Sequence, residues 1–172
     1  RVHDAASWLL YRQPFTGEFN RVLGAEIATR IIHRTRAAPK VLVLDCDNTL
    51  WGGIVGDEGI GALDCSDAFP GNAFRQFQYV ARRLQRQGVL LALASRNADE
   101  SVVQAFEQLD GMVLRLDDVA TRRVNWGPKP GNIADIAREL NLGLDSFVFV
   151  DDSHHELASV CAELPAVRCL QV

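Results

Sequence analysis

Lysine is nearly missing from this 172-residue chain: sixteen of its eighteen basic residues are Arg, which leaves only Lys40 and Lys129. Where Arg is the default surface cation, a Lys kept against that bias is a candidate for chemistry. There is no basic surplus either. The formal net charge is −4, so the electrostatic footprint of a nucleic-acid binder is absent. No apolar run approaches the roughly 18 residues of a membrane helix; the longest are Val41–Leu44 and Val89–Ala94. The four cysteines, at 46, 65, 161 and 169, form no CxxC pair. That argues against a zinc site, and scattered thiols in a chain of this size fit a reduced, cytoplasmic protein. What remains, 48% hydrophobic and 23% charged residues, is ordinary globular composition. The length suits about one domain whose core needs no disulfide or metal. The chain opens on Arg1 with no Met and no visible signal peptide, so its start reads as a boundary within a longer protein.

Residues 1–38 read as an N-terminal helical arm. A first helical segment over 1–15 has Asp4 as its cap and Trp8, Leu9 and Leu10 as its apolar residues. A second is capped by Thr16 and carries Phe19, Val22, Leu23, Ile27, Ile31 and Ile32 at helical spacing as far as Arg34. From residue 39 the pattern changes to strands alternating with helices, which predicts a parallel sheet covered on both faces. Buried strands are expected at Val41–Leu44, Val89–Ala94 and Phe147–Val150. Weaker ones are expected near Met112–Leu116 and Ala166–Leu170. Helices are expected from Pro70-Gly71-Asn72 to Gly88, over Ala98–Leu109, from Lys129-Pro130 to Leu140 and over Ser153–Glu163.

Three of these strands end in Asp45-Cys46-Asp47, in Ser95 and in Asp151-Asp152. Ligands of open α/β sheets bind outside the carboxyl ends of the strands, at a switch point in strand order. Asp45 and Asp47 stand two apart and are expected to leave on one side. If the strand ending in Asp151 and Asp152 is a neighbour, three or four carboxylates converge. Carboxylates packed together need a cation among them, and hard oxygen ligands suit Mg²⁺. Lys129 opens a helix, where its ammonium and the free N–H groups could hold a phosphate. Thr49 and Ser95 add hydroxyl donors, completing the parts of a phosphoryl-transfer site.

In this order, Asp45-Cys46-Asp47-Asn48-Thr49, Ser95, Lys129 and Asp151-Asp152 resemble the four-motif series of the haloacid dehalogenase (HAD) superfamily over roughly residues 40–170. The resemblance implies a Rossmann-like three-layer α/β/α fold with a mostly parallel sheet and a minimal cap. A narrower likeness rests on Leu44 through Gly53, Ile54 through Gly59, Tyr11 through Phe15, Asn125-Trp126 and Leu144-Asp145-Ser146. These are similar to the FkbH-like subfamily of polyketide pathways. That likeness implies a glyceryltransferase and phosphatase. Such an enzyme takes the glyceryl group of 1,3-bisphosphoglycerate as an enzyme thioester, releases phosphate and loads the phosphopantetheine thiol of an acyl carrier protein. Carried over, Asp45 is the nucleophile and a Mg²⁺ ligand. Asp47 is the general acid/base and a ligand through its backbone carbonyl, and Asp151 and Asp152 complete the metal shell. Thr49, Ser95 and Lys129, with Arg96 and Asn97 beside Ser95, hold the phosphate. Three positions depart from the pattern: Arg96 in place of Lys, Ser153-His154 in place of Asn-Pro, and Gly131 in place of a polar residue.

Cys46 is the candidate acyl carrier, although strand alternation points it away from the Asp pair. Cys65, expected to be more exposed in a hairpin-like flap, is the next. Cys161 and Cys169 are expected in the core. The insertions after Asp47 and after Ser95 are too short for a full lid domain. Two other readings stand beside the transferase: a phosphatase acting on a small metabolite or phosphoprotein, and an inactive carrier-protein-binding module. Trp51 and Trp126 are either core aromatics or mouth residues. Arg82, Arg83 and Arg86 are a solvated helix face or a docking face for an acidic carrier protein.

Overall fold

The computed structural model describes residues 15–24, 27 and 39–172, and the chain divides into two compact units, Arg1–Ala37 and Ala38–Val172. In the first, residues 17–24 are helical, as is residue 27. The Thr16 hydroxyl accepts the Phe19 N–H at 3.2 Å, the capping expected of that residue. The segment over 1–14 and the stretch toward Arg34 lie outside the described residues.

The second unit is built on five parallel strands in the order β3-β2-β1-β4-β5. They are β1 (Val41–Leu44), β2 (Leu90–Ser95), β3 (Val119–Val124), β4 (Phe147–Asp151) and β5 (Arg168–Gln171). Five helices accompany them: α1 (Val55–Glu58), α2 (Gly71–Arg86), α3 (Asp99–Gln108), α4 (Lys129–Leu140) and α5 (His154–Glu163). Up to the polar ends Ser95 and Asp151, the three central strands are apolar because both faces are covered, and side-chain parity sorts their residues. Leu42, Leu44, Leu91, Leu93, Val148 and Val150 pack with Ala81 of α2 and Val102, Ala105 and Phe106 of α3. Val41, Val43, Ala92, Ala94, Phe147 and Phe149 pack on the other side with Ile133 and Ile136 of α4 and Leu157 and Val160 of α5. This is the three-layer architecture expected from the alternation of strands and helices.

The third strand is not where the sequence placed it. Met112–Leu116 forms no strand. Instead Val113 and Leu114 donate their N–H groups to the Gln78 Oε1 at 2.8 and 3.0 Å, and Arg82 donates to the Val113 carbonyl at 3.0 Å. With these backbone groups satisfied by side chains of α2, Val113 and Leu114 are buried without joining the sheet. The strand is the polar stretch Val119–Val124, in which only Thr121 is buried. It forms one edge of the sheet, where little burial is demanded and hydrophobic periodicity therefore fades.

Candidate active site

Strand order reverses at β1: the chain winds outward through β2 and β3, then returns to place β4 on the other side of β1. The crevice of such a sheet opens there. Leu44 is level with Val150, and the Asp45 N–H donates to the Val150 carbonyl at 3.0 Å, so Asp45 emerges beside Asp151. One carboxylate oxygen from each of Asp45, Asp151 and Asp152 lies within 4.8 Å of the other two. Lys129, at the start of α4 and only 3% exposed, sits against two of them. Its Nζ is 2.9 Å from Asp45 Oδ1 and 2.5 Å from Asp151 Oδ2. The remaining oxygen of Asp151 accepts the Ser153 N–H at 2.8 Å. The scarce residue of the composition thus occupies a buried charged position at the centre of the site.

One ammonium faces three carboxylates, so the cluster carries surplus negative charge. Burial, reinforced by the charge of Asp151 and opposed by Lys129, pushes Asp45 up to about 6. Burial and Asp151 also raise Asp152. The charges of Asp45 and Asp151 outweigh burial at Lys129 and hold its ammonium above the usual lysine range. A divalent cation held by hard oxygens would relieve this imbalance, so the donor set fits Mg²⁺.

Asp47 does not join the cluster, contrary to the expectation of a shared side. Regular strand geometry ends at Leu44, Asn48 adopts a left-handed φ of 52°, and the Thr49 and Leu50 N–H groups turn back onto the Cys46 carbonyl. The Asp47 carboxylate is redirected to the flap. Oδ1 accepts from Trp51 Nε1 at 2.9 Å and from the Val55 N–H at 3.1 Å, and Oδ2 accepts from Asn97 Nδ2 at 2.9 Å. The flap itself is closed by reciprocal 2.9 Å bonds between Gly52 and Asp64, in keeping with a hairpin-like insertion, and it contains α1, which the sequence did not announce. Asn97 bridges Asp47 and Ser95, its Nδ2 also lying 3.1 Å from Ser95 Oγ. Thr49 is buried, and its Oγ1 has no hydrogen-bond partner, which leaves one hydroxyl to offer a ligand. Arg96 reaches from the end of β2 to Glu156 in the first turn of α5, Nε to Oε1 at 3.1 Å.

The departures from the expected motifs are structurally mild. Ser153 caps α5 through the Glu156 N–H at 3.4 Å. A Cβ at Gly131 would meet only Pro128. The thiols are a different matter. Cys46 is fully buried, on the α2–α3 side of the sheet as alternation required, and burial holds its pKa well above the usual thiol range. Cys65, expected to be exposed, is 1% exposed, because it is enclosed by Gln78 Nε2 at 3.3 Å and the Gly111 carbonyl at 3.6 Å. Cys161, expected in the core, is exposed. Trp51 is a core residue, edge-on to Phe106 at 5.9 Å, whereas Trp126 stands in solvent. Arg82, read as a solvated or docking residue, is committed to the Val113 carbonyl.

Solved structures with the same arrangement settle the fold. The N-terminal part of protein BF1531 from Bacteroides fragilis, which contains a phosphatase domain and is complexed with Mg, superposes with a TM-score of 0.80. It is 32% identical over 98% of this chain, and this chain spans 45% of it. This is the HAD fold. The HAD family enzyme bt-2542 from Bacteroides thetaiotaomicron agrees at the level of fold, at 11% identity. Its magnesium complex gives a TM-score of 0.55 over 79% of this chain and 94% of that one. Its complex with magnesium and inorganic phosphate gives 0.52 over 78% and 94%. The sequence matches no protein-family model and no curated protein. Among the described residues, no helix of the HAD unit or of the preceding one is long and apolar enough to cross a membrane.

Proposed function

We propose that this protein is a Mg²⁺-dependent phosphohydrolase of the HAD type. The observation that carries this reading is the trio Asp45, Asp151 and Asp152 gathered around one ammonium at the switch point of the sheet. Asp45 and Asp151 and Asp152 would hold the metal, with the Asp47 carbonyl as a further ligand, and the ion would neutralise the anionic substrate. Asp45 is the nucleophile: its carboxylate oxygen bonds to phosphorus as the bond to the leaving oxygen breaks, and Asp47 supplies the proton that the leaving oxygen needs. Water then attacks the aspartyl phosphate, giving up a proton to Asp47, and phosphate departs. Lys129, Ser95 and Thr49 hold the phosphoryl oxygens. Asn97 acts on Asp47 and Ser95, and Arg96 stands at the rim. The phosphatase domain of the BF1531 structure and the Mg bound to it support the reading.

The test is Mg²⁺-dependent phosphate release from acetyl phosphate and p-nitrophenyl phosphate by the wild-type chain and Asp45→Asn. The substitution should lower the rate on the order of 10⁴-fold with the thermal unfolding transition retained. Undiminished release would refute the assignment.

The finer reading, an FkbH-like transfer of a glyceryl group from 1,3-bisphosphoglycerate to an acyl carrier protein, draws support from the shortness of the insertions within the Ala38–Val172 unit: the flap after Asp47 and one helix with its loop after Ser95 are too small for a lid domain, in keeping with access for a carrier arm. It also requires a thiol, and Cys46 and Cys65 are buried. Intact-mass spectrometry after incubation with 1,3-bisphosphoglycerate, Mg²⁺ and carrier proteins decides it. A hydroxylamine-labile glyceryl adduct on one cysteine supports transfer, and its absence alongside phosphate release leaves hydrolysis alone.

A further inference from the structure

Trp126 is 73% exposed, yet its surroundings are among the most constrained of the site. It lies between the end of β3 and Lys129. The Asn125 N–H donates to the Ser95 carbonyl at 3.0 Å. The Asn125 and Asn132 side-chain amides bond each other reciprocally at 3.1 Å, and the Gly127 N–H donates to Asn125 Oδ1 at 2.8 Å. Gly127 has no room for a side chain, since a Cβ there would sit 2.8 Å from Asn125 Oδ1. Asn132 is buried, so this clasp fixes the loop to the first turn of α4 and to β2 together. Every one of these bonds is made by residues other than Trp126. The hydrogen bonds of the turn do not depend on the side chain at 126.

A large, exposed apolar side chain is carried on this fixed loop, three residues before the Lys129 ammonium that contacts Asp45 and Asp151. Within the Ala38–Val172 unit no inserted domain covers this crevice, so the rim residues of this unit are open to the organic part of a phosphorylated substrate. Aromatic faces reward planar and apolar partners, and a fixed backbone lowers the ordering cost of contact. On the flap, Ile54 is a second rim residue that solvent reaches, next to the Val55 N–H that Asp47 holds.

We propose that Trp126 is a specificity residue, a platform on which the organic arm of the substrate packs while its phosphoryl group occupies the Asp45 site. The substrate class is therefore phosphoesters or acyl phosphates bearing an apolar or planar arm. This inference rests on the phosphohydrolase reading and adds which end of the crevice the leaving group occupies.

Two phosphonates that differ only in the arm test it, benzylphosphonate and methylphosphonate, used with Mg²⁺ as inhibitors of phosphate release from acetyl phosphate. Benzylphosphonate should inhibit the wild-type chain about tenfold more strongly and perturb the emission of the exposed indole. In Trp126→Ala the two should inhibit within about twofold of each other, the emission change should vanish, and the unfolding temperature should hold. Trp126→Phe, which keeps an aromatic face, should retain most of the preference. Equal inhibition of the wild type, or a preference that survives Trp126→Ala, overturns the proposal while leaving the hydrolase intact. Absence of Mg²⁺-dependent phosphate release removes the hydrolase reading, and this one with it.

Discussion

Two buried polar centres lie in this fold, and they are built on opposite rules. One is Gln78 of α2, fully buried, which donates to the Leu50 carbonyl at 2.6 Å and approaches Cys65 Sγ and Met112 Sδ at 3.3 Å while accepting from Val113 and Leu114. It is neutral and saturated: one side chain ties together α2, the flap and the segment before β3. The other is Lys129, equally enclosed, whose neighbours carry more negative charge than it can balance. A satisfied polar node inside a low-dielectric core fixes structure, whereas an unbalanced one stores an attraction for something absent from the chain. The same contrast separates Asp45, in the charged cluster and shifted upward, from Asp47, whose carboxylate is held by three donors.

Substitutions at the two centres should fail in different ways. Lys129→Met leaves two buried carboxylates face to face. In the absence of Mg²⁺ it should lower the unfolding free energy by about 3–5 kcal/mol, measured by urea denaturation, and reduce phosphate release at least about 100-fold. Excess Mg²⁺ should return part of the stability. Gln78→Ala strands the Val113 and Leu114 N–H groups and the Leu50 carbonyl. It should cost about 2–4 kcal/mol, but leave kcat of the folded fraction within about threefold. If Gln78→Ala instead abolished activity at full stability, the division between the two centres would collapse.

Acidity sharpens the contrast further. In the metal-free protein Asp45 is harder to ionise folded than unfolded, with a pKa of about 6 against 3.8. Its contribution to stability is therefore complete below pH 4 and disappears as pH rises through 6. Comparison with Asp45→Asn isolates this effect: between pH 4 and 7 the wild type should lose on the order of 2–3 kcal/mol relative to the variant. Saturating Mg²⁺ at pH 7 should reverse the loss. The smallest expected effect is at Arg122, which holds Asp99 through two bonds at 2.6 and 2.8 Å on the surface. The pairing holds the Asp99 carboxyl below its usual range, so its benefit is lost as pH falls through that lowered value. Arg122→Ala should cost under about 1 kcal/mol at neutral pH, less in high salt.

The candidate site was legible in outline because its parts sit at ends of elements with plain sequence signatures. Apolar runs at Val41–Leu44 and Phe147–Val150 announced strands, and the residue after each run is an Asp. Lys129 announced itself by scarcity. The edge strand Val119–Val124 was not legible, since an exposed strand has no apolar period to read. Gln78 was missed for the converse reason: a polar residue inside an amphipathic helix looks like its solvent face until α2 is docked. Cys65 looked exposed in a Gly-rich flap, and its burial depends on Gly111, 46 positions away.

The sequence alone determined the alternation of strands and helices, the side on which Cys46 lies, the Asp45, Ser95 and Asp151 strand ends, and the Thr16 cap. These follow from periodicity and hydrogen bonding within a few residues. Tertiary structure decided that Asp45, Asp151 and Asp152 share one site while Asp47 turns away, that Lys129 lies between Asp45 and Asp151, and that Cys46 and Cys65 are sealed. Charge balance and burial are sums over elements distant in the chain, and they take their values only when β1, β4 and α4 are packed together.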